Sequence, residues 1–158
     1  MKIHVLEQSQ DLPISLEEAW EFFSTPRNLD EITPSDLGFK IKYLPDEFMY
    51  QGQIITYDVM IFPGLWMPWV TEIKAVEKNK QFVDEQRFGP YSLWHHLHRF
   101  EEIEGGVRML DRVHYAVGLG PIPLPLIGSI VDAMVVRPKL ERVFSYRKEI
   151  LEKRFGTL

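Results

Sequence analysis

Trp94-His95-His96-Leu97-His98-Arg99-Phe100 says more about the fold than any other segment of the chain. It holds three of the five histidines of the chain inside a strand-like alternation. At a period of two, Trp94, His96, His98 and Phe100 share one face, and His95, Leu97 and Arg99 share the other. The apolar ends of the first face turn it inward, so two imidazoles sit on a buried surface. Gly105-Gly106 follows as a hairpin signal, and Val107 to Val117 forms the returning strand. Its inner face is Val107, Met109, Asp111, Val113, Tyr115 and Val117; Arg108, Arg112 and His114 lie opposite. With Gly105-Gly106 as a two-residue turn, Phe100 pairs with Asp111, His98 with Val113 and His96 with Tyr115. Both apolar patterns then face one side. A one-residue slip would instead bring His96 and His98 towards His114 and Arg112. In the preferred register Asp111 lies diagonally beside His98, where a carboxylate can orient an imidazole.

Upstream, four further segments read as strands: Phe39 to Leu44, Gln53 to Phe62, Trp69 to Val76 and Gln81 to Phe88. Turn signals at Pro45-Asp46-Glu47, Pro63-Gly64, Glu77 to Lys80 and Gly89-Pro90 separate them. The chain opens with a strand from Lys2 to Leu12, stopped by Pro13. Ser15 and Glu18 then form a capping box for a helix carrying Leu16, Ala19, Trp20 and Phe23. A second short helix is expected over Asn28 to Ile32. After the last strand comes the Gly- and Pro-rich Gly118 to Pro125, then a helical pattern from Leu126 to Phe155. Leu140, Val143, Phe144, Leu151 and Phe155, with Ile150 in part, make its apolar stripe. Pro138 predicts a kink or break just before it. The fold class is therefore α+β: a curved antiparallel sheet of about seven strands wrapped around a long C-terminal helix, with two short helices after the first strand. Residues 1–158 form one domain, and the space between sheet and helix is a natural cavity.

Composition narrows the function classes. The chain has 158 residues, 45% hydrophobic and 26% charged, a globular balance. Its net charge of −5 argues against nucleic acid as a partner, because phosphate binding needs a basic footprint. The absence of cysteine removes disulfides, thiolate metal ligands and cysteine nucleophiles. No apolar run is long enough to span a bilayer, and Met1-Lys2-Ile3-His4-Val5 lacks a signal-peptide core, so a cytoplasmic location is expected.

This layout, with the residues filling it, resembles the SRPBCC superfamily, the START-like helix-grip domains that include the birch-pollen allergen family and the polyketide cyclase/dehydrase group. Leu12-Pro13-Ile14-Ser15-Leu16-Glu17-Glu18-Ala19-Trp20-Glu21-Phe22-Phe23, followed by Pro26-Arg27-Asn28-Leu29, looks like that family's entry into its first helix. Phe82-Val83-Asp84-Glu85-Gln86, Gly89-Pro90-Tyr91, Trp94, His96, His98 and Phe100 look like one bacterial ligand-binding subgroup. So do Asp111-Arg112-Val113-His114-Tyr115, Gly118-Leu119-Gly120 and Phe144-Ser145-Tyr146-Arg147. The resemblance implies a deep apolar cavity under the C-terminal helix for a lipid-like, polyketide-like or quinone-like molecule. It does not imply one activity, since the superfamily hosts carriers, cyclases and hydrolases.

Three chemistries fit the inner face. His96, His98 and Asp111 spell the two-histidine, one-carboxylate ligand set of non-haem iron. His-x-His also arises structurally and the resemblance brings no metal, so no metal and no cofactor are expected. As a second reading, His98 held by Asp111 is a general base and Glu85 on the neighbouring strand an acid, for cyclase/dehydratase chemistry. Glu85 faces inward only if the turn around Gly89-Pro90-Tyr91 holds an even number of residues. The preferred reading is ligand recognition. Its polar end is His96, His98, Asp111 and Tyr115; its walls are Trp94, Phe100, Val113, Val143 and Phe144. The expected partner is thus a hydrophobic small molecule, with contact to a membrane surface or a partner enzyme left open and the oligomeric state unassigned. Trp66-Met67-Pro68-Trp69 reads as core packing at a strand start, with a lip at the cavity mouth as the functional alternative. Gly118 to Gly128 reads as a connection or a gate, and the basic residues from Arg147 to Arg154 as a solvated helix face.

Overall fold

A computed structural model of the chain describes residues 2–35, 38–62, 64–119, 122–123 and 132–158. Strand β1 (His4–Leu12) leads into helix α1 (Leu16–Phe23) and a 3-10 turn (Pro26–Leu29). Strands β2 (Phe39–Tyr43), β3 (Ile54–Phe62), β4 (Leu65–Glu77), β5 (Gln81–Phe88), β6 (Tyr91–Ile103) and β7 (Gly106–Leu119) follow, and then the two-residue β8 (Ile122–Pro123). A π-helical turn (Asp132–Val136) opens into helix α2 (Arg137–Phe155). The sheet runs β1-β7-β6-β5-β4-β3-β2, with β8 beside β7, and every described pairing is antiparallel. Register shifts in the β2–β3, β3–β4, β4–β5 and β6–β7 pairs bend the sheet, as bulges do. Helix α2 packs into the concave side. This is a helix-grip α+β fold.

Local chemistry accounts for the elements. Ser15 Oγ accepts the Glu18 amide at 3.1 Å, the N-cap the sequence predicts. The second helix is a 3-10 turn that begins at Pro26 rather than Asn28, since proline is pre-set for a first turn. In α2, Pro138 stands in the first turn for the same reason, so the α-helix begins beside it and the π-turn precedes it. The remainder of the helix expected from Leu126, and most of the loop expected over Gly118 to Gly128, lie outside the described residues; so does Pro63 of the Pro63-Gly64 turn. Among the described residues no helix is long and apolar enough to cross a membrane.

The β6–β7 hairpin turns one residue earlier than its two glycines imply. Ile103 pairs with Gly106, so the turn is Glu104-Gly105, with Gly105 at φ +82°. Gly106 serves a different need. A Cβ there would lie 2.0 Å from the Leu12 carbonyl oxygen, so the glycine lets β1 approach β7. The pairing is therefore shifted by two: Phe100 faces Met109, His98 faces Asp111, His96 faces Val113 and Trp94 faces Tyr115. A shift of two keeps every side chain on its expected face.

The apolar core falls into three clusters on the sheet, the smallest being Ile55, Tyr57 and Ile73 on β3 and β4. At one end α1 lies across β5, β6 and β7. There Trp20 meets Phe82 and Phe100 edge-on at ring separations of 6.1 and 6.0 Å, with Phe23, Leu12, Val107, Met109 and Leu151 filled in around them. At the other end Leu140 and Phe144 of α2 pack on Leu6, Val113 and Tyr115. Between this second cluster and strands β3 to β5 the packing opens.

Candidate functional site

The opening is a cavity of about 230 Å3 between α2 and the concave faces of β3 to β6. Its walls are mostly apolar: Phe39, Tyr57, Val59, Ile73 and Trp69 from the sheet, and Leu140, Val143 and Phe144 from the helix. Trp69 meets Trp94 edge-on with ring centroids 5.1 Å apart, and Trp94 in turn lies 4.9 Å from the Tyr91 ring. At the rim, Lys139 Nζ donates to the Met60 and Ile61 carbonyls at 3.0 Å each, tying α2 to β3.

A polar patch of Asp84 on β5, His96 and His98 on β6 and Arg147 on α2 interrupts this lining, which elsewhere also carries Thr25, Asn28, Thr33, Thr71 and Lys139. The two imidazoles lie against each other with centroids 3.7 Å apart. They are held between two carboxylates. Asp111 stands behind them: its Oδ1 is 2.9 Å from His96 Nε2 in an aligned hydrogen bond. The same oxygen is 2.9 Å from His98 Nδ1, but off that nitrogen's axis. Asp84 stands in front, with Oδ2 3.0 Å from His98 Nε2 and 3.5 Å from His96 Nδ1. Trp94 Nε1 donates to Asp84 Oδ1 at 3.3 Å. Arg147 closes the back, Nη1 3.3 Å from Asp111 Oδ2; its Nε is buried with no partner among the described residues.

Burial alone would drive each of these groups towards neutrality. Against it, the Arg147 guanidinium, the hydrogen bond from His96 and the adjacent His98 imidazole hold the Asp111 carboxyl well below the usual carboxylate range. Burial also pushes Asp84 up, but its bond to His98 and the nearby imidazoles leave it lowered. The histidines split. Burial and the neighbouring His98 lower His96, whereas His98, although buried, is raised by the two carboxylates flanking it. The patch thus holds two carboxylates, a guanidinium and an imidazole poised to carry a positive charge.

Trp94, His96, His98, Val143 and Phe144 stand in the cavity wall, where the sequence places them. Four expected contacts do not line it. Phe100 belongs to the closed core with Trp20 and Phe23, because the two-residue register shift sets it beside Met109. Asp111 is 1% exposed and screened by the two imidazoles. Val113 is covered by α2. The Tyr115 hydroxyl donates to Asp132 Oδ1 at 2.7 Å, and His4 Nδ1 lies 2.8 Å from Asp132 Oδ2, a second buried network apart from the cavity. Glu85 is on the outer face, its Oε1 2.9 Å from His95 Nδ1, so of the two facings the sequence leaves open it takes the one that removes it as an inner acid. Pairing of Gln81 with Arg99 and of Glu85 with His95 centres the β5–β6 hairpin on Pro90, and this odd count turns Glu85 out and Asp84 in. His95 is on the outer face, as expected.

Asp84, Arg147 and Trp69 are the site residues the sequence reading missed, and each had a signal. Asp84 alternates with the buried Phe82 on β5. Arg147 falls three residues after Phe144 and four before Leu151, inside the apolar stripe, and is buried rather than solvated. In Trp66-Met67-Pro68-Trp69 the roles divide: Trp69 lines the cavity, while Trp66 is exposed with Lys40 Nζ 4.5 Å from its ring.

No protein-family model matches the sequence, and no curated protein matches it. Solved structures do. Protein Ms6760 from Mycobacterium smegmatis matches over 98% of both chains at a TM-score of 0.65 and 18% identity. Ara h 8.0201 matches over 96% of this chain and 99% of its own, at a TM-score of 0.59 and 17% identity. The nucleoside-diphosphate sugar epimerase from Corynebacterium glutamicum matches over 94% of this chain but 28% of its own, at a TM-score of 0.65 and 18% identity. At these identities the likeness establishes the helix-grip fold that this chain shares with them.

Proposed function

We propose that the chain binds an apolar small molecule between sheet and α2, its one polar end set against His96, His98 and Asp84. The observation that carries this reading is the cavity itself: a mostly apolar volume of about 230 Å3 with the charged cluster of Asp84, His96, His98 and Arg147 on its wall. Binding sites have this composition, a mostly apolar lining with few polar groups that fix orientation. The volume favours a compact ring system over a long acyl chain, since a cavity of about 150 Å3 takes benzene and drug-sized ligands need about 300 Å3 or more.

Calorimetry with 2-naphthol, a two-ring molecule with one oxygen, tests the reading. One saturable site per chain is expected, together with a small aromatic or quinoid molecule in native mass spectra of freshly purified protein. No saturable heat and no co-purified molecule would defeat it.

A cyclase/dehydratase-type activity is the second reading. What favours it is His98 between Asp84 and Asp111 at the cavity wall, with Asp84 in the place expected for Glu85. Recovery of the co-purified molecule chemically changed after incubation would support this reading, and recovery unchanged would support carriage alone.

A further inference from the structure

Asp84, His96 and His98 each offer a ligand atom, and these atoms lie within 4.8 Å of one another. Asp111 decides which atoms they are. Its Oδ1 takes up Nε2 of His96 and sits 2.9 Å from Nδ1 of His98, so each ring turns its other nitrogen forward. Those forward nitrogens, His96 Nδ1 and His98 Nε2, converge on Asp84 Oδ2 at 3.5 and 3.0 Å. Metal-binding histidines are built this way: a carboxylate holds one ring nitrogen, fixes the tautomer and leaves the other nitrogen's lone pair free. A cation bound here replaces the proton that His98 Nε2 shares with Asp84 Oδ2.

We propose that Asp84, His96 Nδ1 and His98 Nε2 bind one divalent transition-metal ion, with Asp111 orienting both imidazoles and the remaining coordination positions open to the cavity. Ligand atoms about 3.4 Å apart suit an ion bonded at about 2.0–2.2 Å, and the separations from Asp84 are of that size. The charges agree. Arg147 pairs with Asp111, which leaves Asp84 facing the two imidazoles and the Trp94 indole N–H. Two imidazoles and one carboxylate select Zn2+ or Fe2+; the soft Cu+ prefers thiolates, and Mg2+ and Ca2+ prefer oxygen throughout. The sequence reading set a metal aside with Asp111 as third ligand. The observed register puts Asp111 behind the rings and Asp84 in front, and the three-ligand set is completed by a different residue. The inference does not depend on what else occupies the cavity.

The test uses chelator-stripped protein titrated with Zn2+. Calorimetry should give one equivalent per chain. Nitrogen NMR of the imidazoles should show His96 Nδ1 and His98 Nε2 shifted, with His4, His95 and His114 unmoved. Asp84→Asn should weaken Zn2+ binding by more than roughly 100-fold, and Asp111→Asn by about 10- to 100-fold, as for residues that act through a ligand. Absence of binding, Zn2+ held only through His95 or His114 on the outer face, or unchanged affinity in a folded Asp84→Asn would each overturn the site. If Asp84→Asn fails to fold, the ring-nitrogen shifts of the wild type decide alone. 2-Naphthol binding by the same stripped protein is read separately, so failure of the metal site and failure of the cavity reading are distinguishable.

Discussion

The two ends of the inner sheet face are built on the same strands and differ in kind. At the α1 end, β5, β6 and β7 present Phe82, Phe100, Val107 and Met109, all 2% exposed or less, against Trp20, Phe23 and Leu151. Two residues further along each strand, a step of about 7 Å, the same faces present Asp84, His98 and Asp111, with His96 beyond. The first end is closed and without polar side chains. The second keeps its charges in contact with one another and borders a cavity. Burying charge that way contributes little to stability, and an unfilled volume forfeits packing contacts. The cavity end is therefore where the sequence departs from what stability alone would select. Rigid strands carry both, so the polar patch is positioned by the core beside it.

The largest expected effect tests that division directly. Phe100→Ala removes a ring in contact with Trp20, Phe23 and Phe82. It should cost about 3–5 kcal/mol by urea denaturation, with 2-naphthol still bound by whatever fraction stays folded. A loss below about 1 kcal/mol would place the stabilising core elsewhere. Ala19→Leu probes the same end by addition. Ala19 is fully buried on the inner face of α1, and overpacking there should cost about 1–3 kcal/mol.

Much of this contrast was legible before any coordinates. The capping box at Ser15, the strand sequence and the inward face of Trp94, His96, His98 and Phe100 follow from local pattern, because side-chain periodicity is fixed by backbone geometry. What failed depended on contacts between distant segments. Gly106 looks like a turn residue but serves the approach of β1, which no local pattern reveals. Glu85 against Asp84 turned on the parity of a loop centred on Pro90. Arg147 was read by its charge rather than by its place in the stripe of Leu140, Phe144 and Leu151. The histidines and Asp111 follow from pattern; Asp84 and Arg147, which complete their surroundings, do not.

Tyr115→Phe sharpens the distinction between the cavity and the network next to it. The variant removes the hydroxyl that donates to Asp132 at 2.7 Å, while His4 still meets the other carboxylate oxygen. A loss of about 1 kcal/mol is expected in thermal or urea unfolding, with 2-naphthol affinity unchanged because Tyr115 does not line the cavity. A tenfold loss of affinity would join the two polar networks into one site and erase the boundary drawn between them.

The smallest expected effect on stability discriminates most finely. Val143 is half-buried on α2 and faces the cavity. Val143→Phe adds volume at the open end, as Ala19→Leu does at the closed end. If the space is free, the added ring fills it, and stability should hold or rise by up to about 1 kcal/mol, as cavity-filling changes do. The same ring would occupy the ligand's place, so 2-naphthol affinity should fall at least tenfold, about 1.4 kcal/mol of binding free energy. One substitution would then leave folding intact and remove binding, the reverse of Phe100→Ala. Equal destabilisation by Val143→Phe and Ala19→Leu would mean that the two ends are packed alike, and the reading of this face as a binding site would lose its footing.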